Sequence, residues 1–333
     1  MMPRPTIEEV AALAGVSRST VSRVVNGSPA VSPEALAAVQ RAIAELNYAP
    51  NRAARSLASR QTHAIGLVVP EDTTRFFGDP YLASVVAGIS ARLADSDYIL
   101  NLLIASDDPG GKMVRFVRNG GVDGALIVSH HASDAFVDSI ADAVPVVFGG
   151  RPTTVRESDI IIDVDNAAAA RSAVAHLIAL GRRHIATITG TMTMAVSVDR
   201  RDGFLAGLAD AGLQSCGEID GDFSEQGGAD AAARLLAQPE RPDAIFAASD
   251  LMARGAIGVL RSAGLRVPED VAVIGFDDSA LAAASDLTSV HQPMFRQGEM
   301  LAGMMIGVLA GRRQEPLTIL PTELVVRGSA PAA

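Results

Sequence analysis

The chain has 333 residues, of which 48% are hydrophobic and 20% charged, with a formal charge of −10 and a single cysteine. That length allows two or three domains with real cores. The lone Cys216 excludes an internal disulfide and an all-cysteine metal cluster, and no apolar run is long enough to span a bilayer.

The charge is unevenly spread. Residues 1–61 hold seven arginines and four glutamates, a net of +3, which leaves −13 on the rest of a chain whose formal charge is −10. A small basic head on a large acidic body suggests a nucleic-acid module joined to something else. The first residues, MMPRPTIEEV, lack the apolar core of a signal peptide, so a cytoplasmic protein is expected.

In chain order, Thr6-Ile7-Glu8-Glu9 reads as a capping box opening a helix with Ile7, Val10, Ala11 and Ala14 on one face. Gly15 supplies a left-handed turn, and Val16 is expected to be buried in it. Ser17 caps a second helix, Arg18 to Val25, with Val21, Val24 and Val25 inward, and Asn26-Gly27 ends it. Ser32-Pro33 opens a third helix to about Leu46, striped by Leu36, Val39, Ile43 and Leu46. Three short helices with a glycine turn between the first two predict a helix-turn-helix. Its second helix turns Arg18, Ser19, Ser22 and Arg23 outward. Arginines fork onto guanine, and Ser17, Thr20 and Ser22 are short enough to bond phosphates. Thr6 and Asn26, at helix ends, complete the expected DNA-facing set. A three-helix packing module with a solvated polar face would use the same residues.

Next, Tyr48-Ala49-Pro50 breaks the third helix, and Asn51 can cap a short one made of good helix formers. A helix under three turns is marginal alone in water. The segment therefore expects an ordering partner: a second copy, met through Ala53, Ala54 and Leu57, or DNA phosphates, met by Arg52, Arg55 and Arg60.

Beyond residue 62, apolar runs at 64–70, 98–104, 123–128, 145–148 and 160–164 alternate with helical stretches, and the rhythm repeats at 184–189, 243–247 and 271–275. Strands separated by helices predict doubly wound parallel sheets, and two such halves predict two lobes with a cleft. Ligands of open α/β sheets sit beyond the carboxyl ends of the strands. There the sequence offers Phe76, Phe77 and Asp79 in "RFFGDPY", Arg151 after the fourth strand, and Arg200, Phe223, Ser249 and Asp277 in the second half. Sugars suit this mixture: carboxylates and arginine bind adjacent hydroxyls, and an aromatic face covers the apolar side of a ring. The bland alternatives are that Phe76 packs its loop, Asp250 and Asp278 cap helices or hold the lobe interface, and Arg200 pairs with Asp277. Adjacent His130 and His131 point opposite ways on a strand end, so no metal is expected there. No phosphate loop, nucleophile elbow or H-E-x-x-H motif occurs, so neither enzyme activity nor a cofactor is expected.

"IEEVAALAGVSRSTVSRVVNG", "VSPE" and "LNYAPNRAARSLASR", followed by "HLIALGRRHIATITG", "DRRDGFLAGLADAGL" and "GLRVPEDVAVIGFDDS", resemble the lactose-repressor (LacI) family of bacterial transcription regulators over about Thr6 to Gly328. The resemblance implies a small all-α helix-turn-helix head (1–47), a hinge helix (48–61) and an α/β two-lobed, periplasmic-binding-protein-like effector domain (62–330). The N-lobe is expected at about 62–163 and 293–321, and the C-lobe at about 164–292 and 322–330. It implies a dimer on a near-palindromic operator, switched by a small-molecule effector, with Arg200, Ser249 and Asp277 at effector contacts and Phe223 at a stacking position. In the hinge, Asn51 would cap, Ala54 would let two copies approach, Arg55 would enter the minor groove and Leu57 would wedge between base pairs. "FFGDPYL" and the stretch around "GGVDGALIVSHH" look like the branch that answers to glucosides such as maltose or cellobiose. Gly149-Gly150-Arg151 departs from the acid of the lactose repressor and argues against lactose-like ligands. The sequence ends without a heptad tail, so a dimer rather than a tetramer is expected. The rivals are a regulator answering to a nucleobase or other corepressor, and a sugar-binding protein without a DNA role.

Overall fold

A computed structural model describes residues 5–25, 30–48, 61–104, 108 and 110–332. The chain divides into two units at Thr62/His63. The expected contributions of Asn26, Asn51, Ala54, Arg55 and Leu57 lie outside the described residues. Among the described residues no helix is long and apolar enough to cross a membrane.

The first unit holds helices α1 (Ile7–Ala14), α2 (Arg18–Val25) and α3 (Pro33–Leu46). Thr6 starts α1 with both halves of the capping box: Glu9 N–H donates to Thr6 Oγ1 (3.3 Å), and Thr6 N–H donates to Glu9 Oε2 (2.7 Å). Gly15 ends the helix at φ 67°, where a side chain would be strained. Ser17 Oγ receives the Thr20 N–H at 3.1 Å and opens α2; Ser32 does the same for α3 through Ala35. Val10, Ala11, Val21, Val39 and Ala42 form the buried core. Two details depart from expectation. Val16 is half-buried rather than buried, and Leu36 is 39% exposed while the smaller Ala42 turns inward. The described helices of this unit are short, 8, 8 and 14 residues, so small side chains such as Ala11 and Ala42 complete the core between them.

The second unit carries two six-stranded sheets. The first runs β11-β5-β4-β3-β1-β2, made of β1 (Ala64–Val69), β2 (Ile99–Ile104), β3 (Gly124–Val128), β4 (Val146–Gly149), β5 (Ile160–Val164) and β11 (Leu317–Leu320). The second runs β12-β10-β9-β8-β6-β7, made of β6 (Ile185–Thr189), β7 (Gly217–Asp220), β8 (Ala244–Ala247), β9 (Ala272–Asp277), β10 (Thr288–His291) and β12 (Glu323–Val325). All pairings are parallel except β12 with β10. The chain leaves the first sheet after Val164, re-enters that lobe after His291 and crosses once more between Leu320 and Glu323.

Central strands are apolar up to their carboxyl ends because helices cover both faces: every residue of β1, β3 and β9 is buried, including Asp277, which closes β9. Around the first sheet lie α4 (Thr73–Gly78), α5 (Pro80–Leu93), α6 (Lys112–Arg118), α7 (Ala135–Ala141) and α13 (Met294–Leu309). Around the second lie α8 (Asn166–Ala179), α9 (Ala195–Asp210), α10 (Glu225–Leu236), α11 (Asp250–Ser262) and α12 (Ala280–Ala284). The pair α5–α13 fixes the first lobe. It approaches so closely that a side chain on Gly88 would collide with the carbonyl of Phe295, and one on Gly298 with that of Val85. That docking brings Tyr81 and Gln297, 216 residues apart, within 3.0 Å.

Candidate functional site

Between the two sheets, at the carboxyl ends of their strands, lies a cleft enclosing about 680 Å³ of space that includes its open mouth. Arg75, Asp79 and Tyr81 reach it after β1, Ser129 and His130 after β3, and Arg151 after β4. From the second lobe come Arg200 on α9, Phe223 after β7, Ser249 after β8 and Asp277 at the end of β9.

The floor is a web centred on Arg200, which is only 4% exposed. Its Nε donates to Asn166 Oδ1 (2.9 Å) and its Nη1 to the Ala248 carbonyl (2.6 Å); Asp277 Oδ1 stands 3.8 Å from Nη1. Its guanidinium lies 3.5 Å from the centre of the Phe276 ring, a desolvated cation–π contact. Asn166 passes the web on to Asp163 (3.0 Å), whose other oxygen accepts the Arg151 backbone N–H (2.8 Å). Gln292 Nε2 donates to Asp277 at 2.6 Å. Burial raises the carboxyls of Asp79 and Asp163, and raises that of Asp277 well above the usual range, against the opposing pull of Arg200. Burial also lowers the Arg200 guanidinium and raises the Tyr81 phenol.

Protein groups also join the lobes directly across the cleft. Arg75 donates to the Asp222 carbonyl and sits 5.5 Å from the Phe223 ring centre. His131 Nδ1 meets Thr193 Oγ1 at 2.8 Å, and the Ala132 N–H donates to the Thr193 carbonyl at 2.8 Å. Arg151 Nη2 donates to both oxygens of Asp199 at 2.7 and 2.8 Å. Behind these links Glu71 accepts from Ser129 Oγ (2.7 Å) and binds Arg75 (3.1 Å) and His131 (3.3 Å). The hydrogen bond to Glu71 raises the His131 imidazole against burial.

Backbone strain gathers at the same place. Ser129 (φ 55°), Asp222 (49°), Phe223 (60°), Asp277 (109°) and Asp278 (53°) all hold positive φ without being glycine. Each such residue costs on the order of 1–3 kcal/mol and persists only where the surroundings over-determine it, as ligand clamps do.

In the first unit, Ser17, Arg18, Ser19 and Arg23 are exposed, and Thr20 and Ser22 are half-buried, while Val21 is fully buried on the opposite side of α2. Ser17 Oγ lies 2.7 Å from Ser19 Oγ, and Arg18 Nε lies 3.3 Å from Glu8. The result is one polar, net basic helix face.

Comparison with known proteins joins the two units. Residues 6–51 match the lacI family of bacterial regulatory proteins, and residues 174–330 match the periplasmic binding protein-like domain. The transcriptional regulator CelR of Thermobifida fusca is 42% identical over 98% of each chain. The chain belongs to the LacI family. The ribose operon repressor of Escherichia coli K12 is 35% identical over 98% of this chain and 99% of its own. Among solved structures, a CelR–cellobiose complex matches with a TM-score of 0.77 and 40% identity, covering 98% of this chain and 100% of that one. The lac repressor dimer bound to operator and an anti-inducer matches with a TM-score of 0.87 and 29% identity, covering 99% and 100%.

In this LacI-family chain the cleft gathers six of the seven residues expected there: Asp79, Arg151, Arg200, Phe223, Ser249 and Asp277. Two of them also do structural work. Asp79 caps α5 through the Tyr81 N–H (2.9 Å), and Ser249 caps α11 through Met252 (3.3 Å). Phe77 is the exception. It is 76% exposed and outside the cleft, edge-on to Phe76, which takes the place in the core. Adjacent helical residues diverge by about 100°, so only one of two phenylalanines faces inward. Asp250 is not a helix cap: its carboxylate accepts from Ser279, at the start of α12, and from Ser289 in β10, and ties the two together. Asp278 binds Arg327 at 2.7 Å. Arg75, Tyr81, Asp163, Asn166, Gln292 and Gln297 went unpredicted. The strand-end rule points at the loop of Ser129 and at Asp163, but nothing local marks Gln297, which arrives from α13.

Proposed function

We propose that this protein is a cytoplasmic, dimeric transcriptional repressor that releases a near-palindromic operator when its cleft closes on a glucose disaccharide such as cellobiose. The observation that carries the sugar class is the balance of the cleft: three guanidiniums (Arg75, Arg151, Arg200) face three carboxylates (Asp79, Asp163, Asp277) beside the face of Phe223. Each guanidinium is already engaged by protein groups, so an anionic ligand finds no free cation, whereas a neutral polyol finds donors and acceptors at many angles. The complex of CelR with cellobiose supports the same class. A nucleobase corepressor is the second reading, favoured by the aromatic face of Phe223 in the cleft.

On DNA, Arg18, Ser19 and Arg23 read the major groove of each half-site, with Thr6, Ser17, Thr20, Ser22 and Asn26 on flanking phosphates. In the hinge Asn51 caps, Ala54 packs against the second copy, Arg55 enters the minor groove and Leu57 wedges between the central base pairs. The ligand shifts the equilibrium only by its differential affinity for the two lobe arrangements. Calorimetry against cellobiose, ribose and guanine, paired with operator gel shifts, tests the reading. Cellobiose binding that weakens operator binding is expected; binding confined to guanine would overturn the sugar class. Arg23→Ala should relax base preference, and Leu57→Ala should weaken operator binding far more than nonspecific binding.

A further inference from the structure

His130 takes no part in the Arg200 web or in the links between the lobes. It lines the cleft beyond β3, 9% exposed, with its ring centre 5.5 Å from that of Phe148. Ser129, at φ 55°, turns the chain so that His131 goes to Glu71 and Thr193 while His130 turns into the cleft wall. The Nδ1 of His130 is buried and makes no hydrogen bond. Burial, with His131 beside it, drops this imidazole to about 4, so the ring is neutral at pH 7. A neutral imidazole carries a single proton. A proton on Nδ1 would be a buried N–H without an acceptor, which folded proteins almost never tolerate. The proton therefore sits on Nε2, the nitrogen that a cleft-lining ring with a shut-off Nδ1 can present.

We propose that His130 is an uncharged hydrogen-bond donor to the bound ligand, offering Nε2–H to a hydroxyl or ether oxygen. This rests on the reading of the cleft as the effector site. The guanidiniums there are committed to Asn166, Ala248, Asp199 and Asp222, so His130 supplies a directional donor that adds no charge. A ligand oxygen satisfies it; an ammonium at that point repels it and leaves it unpaired.

The test uses the full chain labelled with ¹⁵N-histidine. The six histidines give few resonances, and His130→Phe assigns one of them. The expected spectrum shows a pyridine-like Nδ1 and a pyrrole-like Nε2 for His130, with the Nε2 resonance moving on saturation with cellobiose. By calorimetry His130→Phe should weaken cellobiose binding about tenfold, the cost of leaving one ligand group unpaired. His130→Gln, whose amide reaches the Nε2 position, should restore most of the loss. A protonated Nδ1, an Nε2 that stays fixed with ligand bound, or a Phe variant within twofold overturns the proposal. If guanine alone binds and moves Nε2, the sugar reading falls and the donor stands. If cellobiose binds without moving Nε2, the donor falls and the sugar reading stands. Binding by none of cellobiose, ribose and guanine overturns both.

Discussion

Replacing Arg200 with methionine should expose how much the cleft floor depends on one cation. Methionine fills a similar volume, but Asn166 Oδ1 and the Ala248 carbonyl lose donors at 2.9 and 2.6 Å, and Asp277 loses its nearest positive charge. Each orphaned buried acceptor costs about 1–3 kcal/mol. The total should be about 3–5 kcal/mol, the cost of removing one partner of a buried pair. In a unit of roughly 270 residues that loss lowers the melting midpoint by roughly 10 °C. The deficit should shrink as pH falls. Burial already raises the Asp277 carboxyl, and without Arg200 its folded form holds a proton more tightly still. The variant therefore gains stability relative to the native chain on acidification. Urea titrations of both proteins between pH 8 and pH 5 measure this directly. A deficit below about 1 kcal/mol, or one that grows towards acid, would show that Arg200 does not hold the floor. Arg200→Lys, which keeps the charge but reaches fewer partners, should fall between the two.

Three further outcomes are expected. Arg151→Ala and Asp199→Ala should each speed ligand release, with a coupling energy of about 0.5–1 kcal/mol in a double-mutant cycle, because the pair is 40% and 27% exposed; additive effects would count against a bond between the lobes. Burial holds His130 neutral down to about 4, so its contribution to stability is complete above 6.5 and drains away as pH falls from 6.5 to about 4. His130→Phe should remove that component, about 3 kcal/mol across the window, as read from denaturation midpoints at pH 7 and pH 4. Gly88→Ala should cost about 1–3 kcal/mol by forcing α5 and α13 apart at the Phe295 carbonyl; an unchanged midpoint would mean that the crossing relaxes freely.

Helix ends and buried strands were legible in the sequence because their signals are local. Thr6 with Glu9, Ser32 with Pro33, and the continuous apolar run of β1 each specify their element within a few residues. Cleft residues at strand ends, such as Arg151 and Asp277, were legible for a topological reason: the carboxyl end of a parallel strand faces the site wherever the strand lies. Residues that enter the cleft through helix packing were not. Gln297 reaches Tyr81 only because α13 docks on α5 through Gly88 and Gly298, and no window of the sequence contains both ends of that contact. Phe77 failed for a related reason: in an adjacent aromatic pair, composition cannot say which ring the core takes.

The links from Arg75, His131 and Arg151 to the opposite lobe set the resting point of the switch. Each bond between the lobes that the chain makes by itself adds to the free energy of closure before any ligand contributes. Apparent affinity scales with the fraction of molecules already competent to bind, so stronger links make the regulator more sensitive. The same links raise the share of molecules that respond without a signal, which narrows the span between the unliganded and liganded states. Arg151 and Asp199, part-exposed side chains outside the Arg200 floor, are then a tuning point at which sensitivity is exchanged for the size of the response.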